Sequence, residues 1–459
     1  MVGKRFGLLL CCLWGLSSGL RGQPSEALER LLEAVELRHA VIGISVKAVA
    51  DGRIVIDRSG DKSLQPASVC KLLSSALALK EKGADFHYTT SVWRTGTIAD
   101  GKLNGDIVIE ANGDPCFDSR YFPEYKFTDR LVDAIRQLNI RQIRGKIRIE
   151  NDKQVVLPGS WLWEDISNYY GAAYFPFNYK DNTYYLRFRT GLPGEKTVLL
   201  NVDPEQPGVR FVNEVKAAEG NTDDAWIFGG PYSKEMHILG TLPQKREVFQ
   251  IKGAMHRPDL CFLEEIGKKL NKTGIVVGGV EIAGGGKKEK IETFVSPALK
   301  DIVRETNKKS INLFAEALGQ LVDEINYPER CRVLLDEIGV GASGVVLKDA
   351  CGLSAANAVP AEVFTNLLLW AHKMLGWNFV ASLPLAGTDA GLNPYVAANP
   401  ALKNKLRAKT GSFAGVRCLS GYLTTERGEI LAFTILVNHF EGSPSLLQKK
   451  IGEFLCSFL

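Results

Sequence analysis

Hydrophobic positions in this chain change their period along its length. Residues 25–38 space their apolar side chains as an amphipathic helix does. Runs 41–49 and 54–57 are apolar or alternate every second residue, and Asp51-Gly52 joins them, which predicts a β-hairpin. Leu72-Leu73-Ser74-Ser75-Ala76-Leu77-Ala78-Leu79 is rich in strong helix formers and closes at Lys82-Gly83, a helix-end signal. Between residues 90 and 295, short strand-like runs (106–110, 146–150, 183–189, 197–202) alternate with Gly, Pro, Asn and Asp. Helical spacing returns at 312–322, through Leu313, Phe314, Ala317 and Leu318, and again at 360–374. Strands follow at 416–423 and 430–437 around the turn Glu426-Arg427-Gly428. Ser443-Pro444 then supplies an N-cap and a first helical position for a last helix.

This order predicts an α+β fold: an antiparallel sheet built from both ends of the chain, with helices around it. The middle stretch is far too long for a loop and must hold structure of its own, one or two inserted β-rich domains. The last helix gathers Leu446, Leu447, Ile451, Phe454, Leu455 and Phe458 largely on one face. Packing against the body is one use of that face; weak membrane-surface association is the other.

The N-terminus departs from this globular pattern. Lys4 and Arg5 precede an apolar run from Phe6 to Leu16, followed by Ser17, Ser18 and Gly19. That is the layout of a secretory signal, expected over 1–22, and the run is well short of the ~20 apolar residues that span a bilayer. It implies a periplasmic protein. Cys11 and Cys12 lie inside the apolar run, too early for a lipidation site. The formal charge of +4 falls to +1 once Lys4, Arg5 and Arg21 are set aside, so there is no basic field for nucleic acid. Seven cysteines remain after residue 22, widely spaced and odd in number, which is not a disulfide framework. No C-x-x-C or H-E-x-x-H occurs, so neither a metal nor a cofactor is expected.

Three short motifs carry the candidate chemistry. Ser68-Val69-Cys70-Lys71 opens the predicted helix at 72–79, where residues i and i+3 share a face, so Lys71 Nζ can reach Ser68 Oγ. A serine becomes nucleophilic when a base takes its proton, and lysine serves only if its pKa falls. Burial and a second cation would both lower it, and Lys409 is the candidate cation. Ser310-Ile311-Asn312, 242 positions after Ser68, is the only S-x-N in the chain. Ser310 would relay a proton to the leaving amine, and Asn312 would hold Lys71 and the substrate amide. Lys409-Thr410-Gly411-Ser412 leads into the C-terminal strands. Lys409 and Thr410 can bind a substrate carboxylate, Gly411 lets substrate backbone approach, and the Ser412 and Ser68 N–H groups can form an oxyanion hole. Alone, each motif has an ordinary reading: Ser68 and Ser310 as helix caps, the K-T-G triplet as a turn. Each also has rivals. Ser59-Gly60-Asp61-Lys62 is a second S-x-x-K among charged residues, and Lys272-Thr273-Gly274 a second K-T-G, upstream of Ser310.

Taken together and in order, the motifs match those of penicillin-interacting serine enzymes. The chain resembles the class C low-molecular-mass penicillin-binding proteins, the D-alanyl-D-alanine carboxypeptidase/endopeptidase family. Pro66-Ala67-Ser68, Leu103-Asn104-Gly105-Asp106, Gly113-Asp114-Pro115, Asp349-Ala350-Cys351-Gly352-Leu353-Ser354 and Leu383-Pro384-Leu385-Ala386-Gly387-Thr388-Asp389 extend the likeness over the mature chain. The resemblance implies a β-lactamase/transpeptidase-like catalytic domain with a two-part insert. We expect 23–92 with 295–459 as that domain, 93–160 with 251–294 as one insert, and 161–250 nested within it. It also implies acylation of Ser68 by peptidoglycan stem peptides ending in D-Ala-D-Ala, release of D-Ala, hydrolysis, and reaction with β-lactams. A β-lactamase on the same core, or a non-catalytic cell-wall-binding relative, are the alternatives. Departures are Ala350 and Cys351 for a glycine and a serine, Cys70 inside S-x-x-K, and Ala355 where the family often has arginine. The stretch Trp161 to Ala172 resembles the family's contact with the stem peptide's diamino acid, which implies Glu164 or Asp165 as a partner for its ammonium.

Overall fold

The structure is a computed structural model that describes residues 24–151, 154–231, 233–278 and 287–459. The expected secretory signal at 1–22 lies outside the described residues.

Both ends of the chain meet in one five-stranded antiparallel sheet. Its strands are β1 (Val41–Ala48), β2 (Ile54–Arg58), β3 (Leu406–Phe413), β4 (Val416–Thr424) and β5 (Ile430–Asn438), in the order β2-β1-β5-β4-β3. Six helices matter here: α1 (Pro24–Leu32), α2 (Lys71–Lys82), α3 (Leu299–Lys309), α4 (Asn312–Val322), α5 (Ala361–Met374) and α6 (Pro444–Cys456). The helix expected over 25–38 is shorter: the chain turns extended at Ala34 and resumes as a 3-10 turn, Val35–Leu37.

Strand alternation decides which helices cover which face. Ile44 and Val46 join Leu28, Leu31, Leu447, Ile451, Phe454 and Leu455 in one apolar cluster, so α1 and α6 cover that face. Ser45, between them, points the other way, where its carbonyl accepts from Thr365 Oγ1 of α5 (3.2 Å). Thr365 Oγ1 can also accept from Thr434 Oγ1 (3.0 Å), which lies 2.8 Å from Ser420 Oγ. Helix α6 thus spends its apolar face inside the protein, capped by Ser443, whose side chain accepts from Leu446 N. The membrane-surface use of that face is thereby excluded, because Leu447, Ile451, Phe454 and Leu455 are buried against the sheet. No helix among the described residues is long and apolar enough to cross a membrane.

Helix α2 runs through the centre. Every residue from Lys71 to Leu79 is buried, the polar Lys71, Ser74 and Ser75 included, with Leu72, Leu73, Ala76, Leu77, Ala78 and Leu79 supplying apolar surface around the helix. It packs on α3, α4 and α5. The long middle stretch leaves and returns side by side: strand Glu289–Val295 pairs antiparallel with Thr89–Arg94, with Val295 opposite Thr89. That pairing closes the gap between the Ser68 and Ser310 motifs. The expected domain boundaries at 92/93, 250/251 and 294/295 each fall inside a strand, Thr89–Arg94, Phe249–Ala254 or Glu289–Val295.

Because Ile451 is fully buried between α6 and the sheet, Ile451→Ala should destabilise the protein by about 2–5 kcal/mol. A lowered urea midpoint checks this; an unchanged midpoint would mean that α6 is not packed as described.

Candidate active site

Ser68 sits on a 3-10 turn, Ala67–Cys70, that runs straight into α2. Ala67 is held left-handed (φ 47°), which turns the chain sharply before the serine. Ser68 is half-buried and Lys71, the first residue of α2, is fully buried. Lys71 Nζ donates to Ser68 Oγ (2.9 Å), Asn312 Oδ1 (2.6 Å) and the Cys351 carbonyl (2.7 Å). These satisfy its three donors. Burial lowers its pKa, against the opposing pull of the acidic groups nearby, Asp349 and Glu316 among them.

Ser310 and Asn312 enter from the sharp turn between α3 and α4. Ser310 is not the N-cap its sequence suggests. It closes α3 in the left-handed conformation (φ 57°), and Ile311 stands at the N-cap position of α4. This places Asn312 against Lys71 and Ser310 against Lys409. Ser310 Oγ accepts from Lys409 Nζ (2.9 Å), and Asn312 Nδ2 donates to the Tyr170 carbonyl (2.7 Å).

Lys409 lies on β3, the edge of the sheet. It is buried, and its Nζ also donates to the Thr410 carbonyl (2.7 Å). Burial and then the Lys71 charge hold its pKa well below the usual lysine value. Burial, one of the two causes expected at Lys71, leads at both lysines, and the repulsion between the two ammonium groups disfavours charging both at once. A carboxylate placed against Lys409 would raise its pKa again. Gly411 has a second reason to be glycine. A Cβ there would lie 2.5 Å from the Pro66 carbonyl and 3.1 Å from Ser68 N, so the glycine lets β3 press against the serine turn. Thr410 is half-buried and Ser412 exposed, beyond the point where Leu385 bridges Arg407 and covers the start of this edge. An open strand edge suits an extended peptide.

Two buried carboxylates that sequence reading gave no role shape the far wall. Asp349 Oδ1 accepts from Gly352 N and Asn357 Nδ2 (both 2.8 Å), and Oδ2 from Trp161 Nε1 (2.8 Å) and Ser354 N (2.6 Å). Glu316 Oε1 accepts from Ala350 N (3.0 Å) and Cys351 N (2.8 Å). Together they fix the loop whose Cys351 carbonyl receives Lys71. Gly352 (φ 84°) closes this loop, and a Cβ there would lie 1.9 Å from the Ala67 carbonyl. A signal for Glu316 existed: it is a charge inside an apolar helix, four positions after Asn312 and so on the same face. Burial, and then the Asp349 charge, push its carboxyl up to about 8, against the two N–H bonds it accepts. Glu316, Asp349 and Cys351 bring possible metal-ligand atoms within 4.8 Å of one another. Both carboxylates are already committed to N–H groups, and burial keeps the Cys351 thiol protonated, as it does Cys70.

The 161–172 segment forms part of this wall through Trp161 and Tyr170. Asp165 is half-buried; burial raises its carboxyl pKa, while a bond from the Tyr170 hydroxyl lowers it. Glu164 is exposed on the short helix Trp163–Ile166. The structure therefore ties their segment to the site, while the two carboxylates sit at its outer side. The rival motifs lie elsewhere: Lys62 pairs with Asp61 (2.8 Å) in a solvated turn, and Lys272 ends the helix Pro258–Lys272 of the inserted region.

A serine bonded to a buried lysine, a serine–lysine pair and an open strand edge on an α+β, β-lactamase/transpeptidase-like core are the arrangement of a serine acyl-transfer hydrolase. The chain matches the D-Ala-D-Ala carboxypeptidase 3 (S13) family over residues 25–455 and belongs to it, which makes it a serine-type carboxypeptidase of the low-molecular-mass penicillin-binding class. It is 23% identical over 429 residues to the D-alanyl-D-alanine carboxypeptidase DacB of Haemophilus influenzae, covering 87% of this chain and 85% of that protein. It is 27% identical over 481 residues to the D-alanyl-D-alanine carboxypeptidase of Actinomadura sp., covering 94% and 84%. Its fold is similar to the crystal structure of penicillin binding protein 4 (dacB) from Haemophilus influenzae, with a TM-score of 0.75 and 21% identity over 93% of this chain and 97% of that one.

Glu316→Ala would leave two buried N–H groups unpaired, at about 1–3 kcal/mol each, and free the Cys351 carbonyl to move off Lys71. We expect β-lactam acylation to slow by about 10- to 100-fold, a rise of about 1.4–2.7 kcal/mol in the barrier. Glu316→Gln, which can still accept both bonds, should stay within a few-fold of wild type. Equal rates for Ala and wild type would remove Glu316 from this role.

Proposed function

We propose that the chain is a periplasmic serine D-Ala-D-Ala carboxypeptidase that also cleaves cross-linked stem peptides as an endopeptidase. The observation that carries this reading is the fully buried Lys71, 2.9 Å from Ser68 Oγ and bonded directly only to uncharged oxygens. Such a lysine can be neutral and can take the Ser68 proton. Ser68 Oγ then attacks the carbonyl of the penultimate D-Ala. The N–H groups of Ser68 and Ser412 receive the oxyanion, while Lys409 and Thr410 hold the terminal carboxylate. Ser310, hydrogen-bonded to Lys409, relays to the leaving amine the proton that Lys71 took from Ser68, which leaves Lys71 neutral again, and the C–N bond breaks. Water, deprotonated by Lys71, hydrolyses the ester and returns Ser68. Asn312 keeps Lys71 aimed throughout.

The same acyl-enzyme serves both activities, because only the leaving amine differs: free D-Ala in one, a diamino-acid side chain of a second stem peptide in the other. Glu164 or Asp165 would hold a diamino-acid ammonium on the bound peptide. β-Lactams would acylate Ser68 in the same way; the Haemophilus influenzae protein has a structure complexed with a β-lactam. Residues 1–22 would direct export to the periplasm. We place the catalytic domain on both sides of the Thr89–Arg94 and Glu289–Val295 strand pair. One insert is built on that pair, and a second lies nested between about residue 161 and the strand Phe249–Ala254.

Labelled penicillin should attach to wild type and not to Ser68→Ala, and D-Ala release should fall at least about 10³-fold. Equal labelling of both proteins would overturn the assignment. The acylation rate should rise with pH as Lys71 loses its proton. Because burial lowers that pKa, the midpoint should lie below the value of about 10.4 for a free lysine. A rate that climbs only near that value would exclude Lys71 as the base.

A further inference from the structure

The inserted region turns an aromatic face to solvent beside the catalytic cleft. Strands Asp224–Phe228 and Glu235–Pro243 pair antiparallel, with Trp226 opposite Leu239, Ile227 opposite Ile238 and Phe228 opposite His237. Directly opposite residues share a face, and faces alternate along a strand. Ile227 and Ile238 are fully buried, so their face is the core. The other face presents Trp226, 40% exposed, and Leu239, 38% exposed, with His237 and the partly covered Phe228. Trp163, 65% exposed, sets its ring 5.0 Å from that of Phe228. So much contiguous aromatic surface left in water, rimmed by polar groups, marks a docking surface.

This face is continuous with the catalytic wall. A cavity of about 280 Å³ is lined by Tyr169, Tyr170, Asp223, Trp226, Gln250 and Lys252, among others. Its Tyr170 end is the residue whose carbonyl holds Asn312 (2.7 Å), and its Trp226 end is the aromatic face. A second hollow, of about 460 Å³, lies between Trp163, Phe228, His237 and Leu239. Ligand bound at Ser68 and ligand bound on the aromatic face would lie along one wall.

We propose that this face binds the glycan strand of peptidoglycan while a stem peptide of the same polymer lies in the cleft. The inference rests on the reading of the chain as a peptidoglycan peptidase. The match is chemical. A pyranose ring offers a flat C–H face that packs on an indole, and hydroxyl and acetamido groups at its edge that need hydrogen-bond partners. The face supplies Trp163 and Trp226 for the first. Its rim supplies Glu235, hydrogen-bonded to His237 (2.9 Å), with Asp223 and Gln250, for the second. The rim carries both signs of charge, as suits an uncharged sugar chain better than a strongly ionic partner. Tethering also makes the binding useful: a glycan held here raises the local concentration of its own stem peptides at Ser68.

The test uses full-length protein carrying Ser68→Ala, so that nothing turns over, and an uncharged β-1,4-linked N-acetylglucosamine oligosaccharide as the glycan probe. Titration followed by tryptophan fluorescence or calorimetry should show binding. Trp226→Ala should weaken it by about tenfold or more, equivalent to 1.4 kcal/mol, and Trp226→Tyr should restore most of it. With Ser68 intact, Trp226→Ala should keep penicillin labelling and D-Ala release from a soluble peptide within about twofold of wild type, while release from intact peptidoglycan falls at least about fivefold. Normal penicillin labelling shows that the variant is folded and that the peptidase reading stands. With labelling normal, absence of glycan binding, or equal binding by Trp226→Ala, overturns this proposal alone. A dimer that Trp226→Ala abolishes, with no glycan bound, would assign the face to a second copy of the chain and overturn it as well. Loss of wild-type penicillin labelling would instead sink the peptidase reading on which the proposal rests.

Discussion

The constraint on which the site depends is a lysine ammonium kept out of water without a carboxylate touching it. A buried cation is costly, and the usual remedy is an ion pair. An ion pair at Lys71 would raise its pKa and stop it acting as a base. Here its three donors meet a hydroxyl, a side-chain amide and a peptide carbonyl. These neutral dipoles orient the nitrogen and leave its proton removable. The acids nearby, Asp349 and Glu316, are held back by their own backbone N–H groups. They act on Lys71 through the loop they fix and through a weaker field.

The rest of the fold can be understood as the means of bringing those dipoles together. Asn312 and Cys351 lie 241 and 280 positions from Lys71. Helix α2 carries Ser68 and Lys71 into the apolar interior, the turn from α3 to α4 delivers Ser310 and Asn312, and the edge strand β3 delivers Lys409. Two approaches to the serine turn are close enough to need a glycine: Gly352 against Ala67, and Gly411 against Pro66 and Ser68. The inserted region is not a bystander, because its Trp161 and Tyr170 bind Asp349 and Asn312 directly. The inserted region is therefore tied by hydrogen bonds to the same cluster that holds Lys71.

Much of the secondary structure was legible because its signals are local. The 312–322 helix and the 183–189 strand match their sequence patterns to the residue, and the C-terminal hairpin to within one. The α6 helix opened where Ser443-Pro444 said it would. What local pattern could not settle was which partner a feature would meet. The apolar stripe of α6 is the same whether it faces a membrane or a sheet. Ser310 has the composition of an N-cap, yet the tight α3 to α4 turn makes it a left-handed C-cap.

By itself the sequence named the candidate chemistry, since a serine, a lysine, an amide and a second lysine in these motifs are side chains that few residue types can replace. Their order along the chain excluded the rival motifs. The tertiary structure alone decided the surroundings that make those side chains reactive. The Cys351 and Tyr170 carbonyls that hold Lys71 and Asn312 are backbone groups, which every residue possesses, so no residue type marks them. Burial, which lowers the pKa values of Lys71 and Lys409, likewise belongs to neither residue. It arises only when segments hundreds of positions apart pack together and exclude water.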